Sequence, residues 1–122
     1  MRFVLAFVVL LLVFLSSSFG FQNQNSPFGV YPGDATWKEQ LVHLDNLAHY
    51  LLVNKDMTGF IVYYDDSRIP KSSIVKRVKK ATLYLHKRFK IASSRLKICY
   101  GGSNDPSEVI IKPTKTGAPG PC

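Results

Sequence analysis

Acidic residues are scarce in this chain of 122 residues: eight stand against sixteen lysines and arginines, for a formal net charge of +8. The shortage is uneven. From Arg68 to Lys97 there is no Asp or Glu, so the basic residues of that stretch have no neighbouring i,i+4 partner to neutralise them. Cysteine is nearly absent too. Cys99 and Cys122 have no histidine near them in sequence, which excludes an ordinary thiolate zinc site. The three histidines are scattered: His43 and His49 do not share a helix face at i,i+3 or i,i+4 spacing, and His86 lies one step from basic residues. No serine, Ser93 and Ser94 included, sits in a nucleophile elbow. A hydrolase needs a nucleophile, a base and an orienting acid, and nothing marks such a set. We therefore expect no enzyme activity, no metal and no cofactor.

Long apolar runs are limited to the beginning. Arg2 precedes an apolar run from Phe3 to Leu15, and Ser18-Phe19-Gly20 follows as a small-x-small cleavage site. This is the grammar of a secretory signal peptide over residues 1–20. The run is shorter than the roughly 20 apolar residues of a spanning helix. An uncleaved N-terminal anchor is the alternative. Export to a secreted or periplasmic location permits a disulfide. A Cys99–Cys122 bridge would tie down the tail; otherwise Cys99 is a buried thiol and Cys122 a free one.

The remainder is long enough for one small domain and too short for two. Residues 21–34 are polar and rich in Asn, Gln, Gly and Pro, and read as a flexible leader with room for a short edge strand at Phe28–Tyr31. Asp34 is a candidate N-cap for a helix. Trp37, Leu41, Leu44, Ala48 and Leu51 then recur at helical spacing, with Trp37 read as a core residue. Asn54, Lys55 and Asp56 stop that helix. Phe60 to Tyr64 is short, β-branched and aromatic, and reads as a strand buried on both faces.

Ile69-Pro70 delays the next helix, for which Ser72 or Ser73 is the expected cap. Its apolar stripe is Ile74, Val78, Ala81, Leu85 and Phe89, and its polar face is almost purely cationic. The segment Arg95–Tyr100 alternates, with Leu96, Ile98 and Tyr100 on one side and Lys97 and Cys99 on the other. A turn cluster leads to a last strand ended by Pro113, and residues 114–122 read as a flexible tail.

The order helix, strand, helix, strand, strand predicts an α+β two-layer sandwich over residues 35–113. Two helices would pack on a small mixed sheet. Phe60–Tyr64, the crossover helix and Arg95–Tyr100 would form a parallel, right-handed βαβ unit. The last two strands would form a C-terminal hairpin.

Several stretches together resemble a known family. LDNLAHYL at 44–51, RVKKATLYL at 77–85, IASSRLKI at 91–98 and the VII strand at 109–111 look like the peptidoglycan-binding domain of outer-membrane protein A and of peptidoglycan-associated lipoproteins. The likeness covers roughly residues 36–113. It implies an OmpA-like α+β sandwich and non-covalent anchoring to the peptide stem of the bacterial cell wall. By that resemblance Arg77 would bind a ligand carboxylate, and Asp66 or Asp65 a ligand ammonium, chemistry that suits both groups. The loop Tyr63–Val78 is shorter than the family loop and lacks its His, Thr, Gly and Asn. In local terms alone, Asp65 and Asp66 read equally as a turn with side-chain to backbone bonding.

The cationic face, with Lys76, Lys80, Lys87 and Lys90, suits an anionic envelope polymer such as peptidoglycan. It also suits an acidic protein for which this chain is an accessory subunit, or a nucleic acid, with Tyr63, Tyr64, Tyr84 and Tyr100 as stacking surfaces. A solvated face that aids solubility is the simplest account of the same residues.

Overall fold

The computed structural model describes residues 28–122; the expected signal peptide and residues 21–27 of the expected leader lie outside the described residues. The chain forms β1 (Gly29–Pro32), α1 (Trp37–Val53), β2 (Met57–Asp65), α2 (Lys71–Phe89), a 3-10 turn (Ser93–Arg95), β3 (Leu96–Ser103) and β4 (Glu108–Lys115). The sheet order is β1-β4-β2-β3, and both helices pack on it to give the α+β sandwich. β2 and β3 pair in parallel across α2, which completes the βαβ unit. β4 runs antiparallel to β2 and to β1. The last two strands are therefore antiparallel and joined by a short loop, with β2 between them.

The helical stripes become the core. Leu44, Leu47, Ala48 and Leu51 of α1 and Ile74, Val78, Ala81 and Leu85 of α2 are buried against Tyr31, Ile61, Tyr63, Val109 and Ile111. Phe89 and Trp37 are only half-buried, so Trp37 is not the core residue its position in the stripe suggests. It lies at the seam between the helices, edge-on to Tyr84 at 5.5 Å.

Local chemistry moves several boundaries. Thr36, not Asp34, caps α1. Its hydroxyl accepts from the Glu39 amide at 3.2 Å, and Glu39 accepts from the Thr36 amide at 3.0 Å, a complete capping box. α2 begins at Lys71, two residues earlier than a Ser73 start and three earlier than an Ile74 start would give. Pro70 occupies the N-cap with extended backbone, and its carbonyl accepts from Ser73 and Ile74 at 3.0 and 3.2 Å. Proline lacks only a donor that a helix start does not use. Pro113 does not end the last strand, which continues to Lys115. Beyond Ile111, the partner of Gly29, β4 has no strand neighbour on its β1 side among the described residues, and a missing N–H is tolerated at such an edge.

The edge strand expected at Phe28–Tyr31 is β1, shifted by one residue, so the folded domain begins inside the expected leader. The tail folds back over the sheet face that the helices leave open. Gly120 lies so close to the Phe60 ring that any β-carbon there would collide with it. Cys122 is joined to Cys99 by a disulfide, with Cα atoms 5.8 Å apart. Helices on one side and the tail on the other bury Val62 as well as Ile61 and Tyr63, which makes β2 a strand covered on both faces. The disulfide fits an oxidising compartment. Among the described residues, no helix is long and apolar enough to cross a membrane.

Candidate functional site

Asp65 ends β2, where its carboxylate accepts from Tyr100 Oη at 2.9 Å and Ser103 Oγ at 2.8 Å. These bonds hold its pKa below the usual carboxylate range, Ser103 contributing most. Asp66 organises the loop into α2. One oxygen accepts from the Arg68 and Ile69 amides at 2.8 and 2.7 Å, and the other from the Ser107 amide at 2.8 Å. The Ser107 and Ile69 amides are the main reason its pKa is also lowered. Ser107 in turn bonds the Tyr64 carbonyl through its hydroxyl, so Asp66 fastens the start of β4 to the end of β2.

Arg77 is occupied as well. Its Nη1 donates to the carbonyls of Gly33 and Ala35 at 3.0 and 2.7 Å, which fixes the β1–α1 loop. Asp66 and Arg77 thus serve different loops, and neither bonds the other.

A small cleft of about 120 Å³ remains beside Arg77, lined by Trp37, Gln40, Arg77 and Lys80. Gln40 is buried and donates to the Ala35 carbonyl at 3.0 Å, while its Oε1 has no partner. Tyr31 Oη is the other buried polar side-chain atom without a partner among the described residues. Burial pushes the Tyr31 phenol up to about 12, against the opposing pull of Arg77.

The outer face of α2 is the larger feature. Lys76, Lys80, Lys87 and Lys90 are all exposed, as sequence periodicity requires, and Lys79 and Arg88 join them. A shallow groove of about 420 Å³ crosses this face, lined by Trp37, Lys80, Leu83, Tyr84, Lys87 and Arg88. Its floor is aromatic and aliphatic and its rim is cationic. Lys80 Nζ lies 4.2 Å from the centre of the Trp37 ring, a cation–π contact that steadies a side chain otherwise free in solvent. Tyr84 Oη donates to Asp45 Oδ1 at 2.6 Å, which turns the Tyr84 ring edge toward Trp37 and raises its pKa. α1 thereby supplies the wall that converts a charged helix face into a groove. The lysines were legible from sequence, but the part played by Trp37 was not, because helical spacing assigned it to the core.

The histidines are dispersed. His43 stacks on Tyr31, His49 meets Phe89 edge-on, and His86 Nδ1 lies 2.7 Å from the Ile91 carbonyl. No family model matches the chain, and no curated protein is significantly similar to it.

Proposed function

We propose that this is an exported, non-enzymatic binding module that holds an anionic polymer of the cell envelope against the outer face of α2. One observation supports the reading above the others: the groove joins an aromatic floor, Trp37 and Tyr84, to a rim of Lys80, Lys87 and Arg88. Sugar rings stack on aromatic faces, and carboxylate or phosphate groups pair with the rim. The run from Arg68 to Lys97, which has no acidic residue, draws such polymers in from a distance. The signal-like N-terminus and the disulfide fit a secreted or periplasmic site of action.

A second reading follows the OmpA-like resemblance. There the ligand is the peptide stem of peptidoglycan, with a carboxylate on Arg77 and a donor group on Gln40 Oε1, which is buried without a partner. Asp66 already accepts three backbone amides, two on one oxygen and one on the other, so a ligand ammonium would have to share the oxygen that holds the Ser107 amide.

Co-sedimentation separates the two. The first reading expects retention on insoluble peptidoglycan carrying anionic glycopolymer, and loss of retention once that polymer is stripped. It also expects a steep decline with salt and a loss of at least tenfold in Lys80→Glu/Lys87→Glu. Retention on the stripped wall, sensitive to Arg77→Lys and insensitive to the lysine pair, would replace it with the second. Equal retention on DNA of matched charge would reduce both to unspecific polyanion binding.

A further inference from the structure

The outer face of α2 is not the only surface left without a partner. β3 is an edge strand, and its outer side has no neighbour among the described residues. The two edges of the sheet are unlike. β1 is four residues long and ends on Pro32, whereas β3 is eight residues long and pairs with β2 in regular register from Leu96 to Tyr100. Edge strands are normally blunted by proline, bulges, inward charges or a covering element. In β3 the irregularity comes only after Tyr100, at the Gly101-Gly102 end. The preceding five residues keep regular register with β2 and present on their outer side a row of backbone donors and acceptors with no strand partner among the described residues.

Beside this edge, between α2 and β3, runs a second groove of about 410 Å³, with Leu83, Leu96 and Ile98 among its walls. Leu83 is 51 % exposed and Ile98 37 %, so both leave apolar surface open to the groove. Lys79 and His86 stand at its helix side, and Lys97 is exposed on the opposite face of β3. A second copy of this chain is a poor occupant. Pairing β3 with β3 would set Lys97 near Lys97 and bring Lys79 and its neighbouring α2 cations toward their own copies.

We propose that the β3 edge is a docking site for an extended acidic segment of a partner protein, which adds to the sheet as a fifth strand. Its backbone pairs with Leu96–Tyr100. Because strand side chains alternate between faces, every second residue drops into the groove between Leu83 and Ile98. The intervening carboxylates then lie on the Lys97 side, and a flanking acid reaches Lys79. This site shares the Leu83 wall with the groove on the α2 outer face but does not depend on what that face binds.

The test is an NMR titration of the full chain with a peptide of about seven residues, an ordinary strand length, alternating glutamate and valine. Saturable binding is expected, with the largest shift changes and slowed amide exchange at Leu96–Tyr100. N-methylation of alternate peptide bonds in the probe removes backbone donors and should abolish binding, as should replacing its glutamates by lysine. Ile98→Lys and Leu83→Glu should each weaken binding by about tenfold or more, the usual scale for a central contact. Lys80→Glu/Lys87→Glu should leave it within about twofold, which keeps this result distinct from the polymer reading. The proposal is overturned if no saturable binding occurs, if the N-methylated probe binds equally well, or if the shifts map to the outer face of α2.

Discussion

α1 and α2 bury the same kind of stripe in the same core, yet their remaining residues answer to different demands. α1 is built like a helix that only has to fold. It opens with a capping box, carries acidic and basic residues together, and ends where Arg95 takes its last carbonyls. α2 opens on Pro70 without a side-chain cap, has no acid in its first turn, and carries cations from end to end. His86, Lys87 and Arg88 in its last turn complement the helix dipole, so folding has a use for them whatever they bind. Lys76, Lys79 and Lys80 do not have that excuse. They repel one another in the middle of the helix, where lysine offers the fold nothing that a neutral or mixed surface would not. The contrast teaches where to look: charge that folding does not use is charge available to a partner.

The largest effects should be the same in both helices. Leu47→Ala and Leu85→Ala remove side chains that are fully buried, and each should cost ~3 kcal/mol in denaturant unfolding, as buried leucines generally do. A much smaller loss in α2 would break the comparison at its base, because α2 would then not share the core on equal terms.

Next come the entry loops. Asp66→Ala frees the Arg68, Ile69 and Ser107 amides at once and should lower Tm by several degrees. The effect should depend on pH. The folded-state pKa of Asp66 is lowered, so its contribution is present above the ordinary aspartate pKa and is lost as pH falls through the folded value. Melting curves of wild type and Asp66→Asn should therefore differ at neutral pH and converge in acid.

Caps sharpen the contrast further. Thr36→Ala should cost about 1 kcal/mol. Ser72→Ala and Ser73→Ala should cost almost nothing, since neither serine caps α2. Smallest of all, Lys76→Glu or Lys79→Glu should change stability by no more than about 0.5 kcal/mol, as surface substitutions do. If these reversals are neutral for folding but weaken polymer retention, the cations of α2 belong to binding. A large destabilisation would return them to the fold.

What was legible in the sequence was whatever depends on periodicity. Ile74, Val78, Ala81 and Leu85 lie where helical spacing puts them. Alternation placed Leu96 in the core and Cys99 on the opposite face, where the tail reaches it. The capping box was also written plainly as Thr36-Trp37-Lys38-Glu39, although Asp34 drew attention by standing beside a turn. Asp66 and Arg77 were not legible in the same way. Asp66 bonds the Arg68 and Ile69 amides in a local turn of the kind its position suggests, but its third partner, Ser107, and the carbonyls that Arg77 meets, those of Gly33 and Ala35, lie about forty residues away in sequence. No local pattern reveals which loop a guanidinium will meet. The same holds for the groove, since Trp37 gains its place only when Tyr84 and Lys80 arrive from the other helix.

Arg95 carries one more consequence. It sits immediately before β3, and its guanidinium reaches the carbonyls of Leu51, Asn54 and Met57, each at 2.9 Å from Nη2. One side chain thus ties the root of an edge strand to the end of α1 and the start of β2. A tug along β3 would be shared among three elements before the sheet began to peel. The edge strand is in this sense moored at its base.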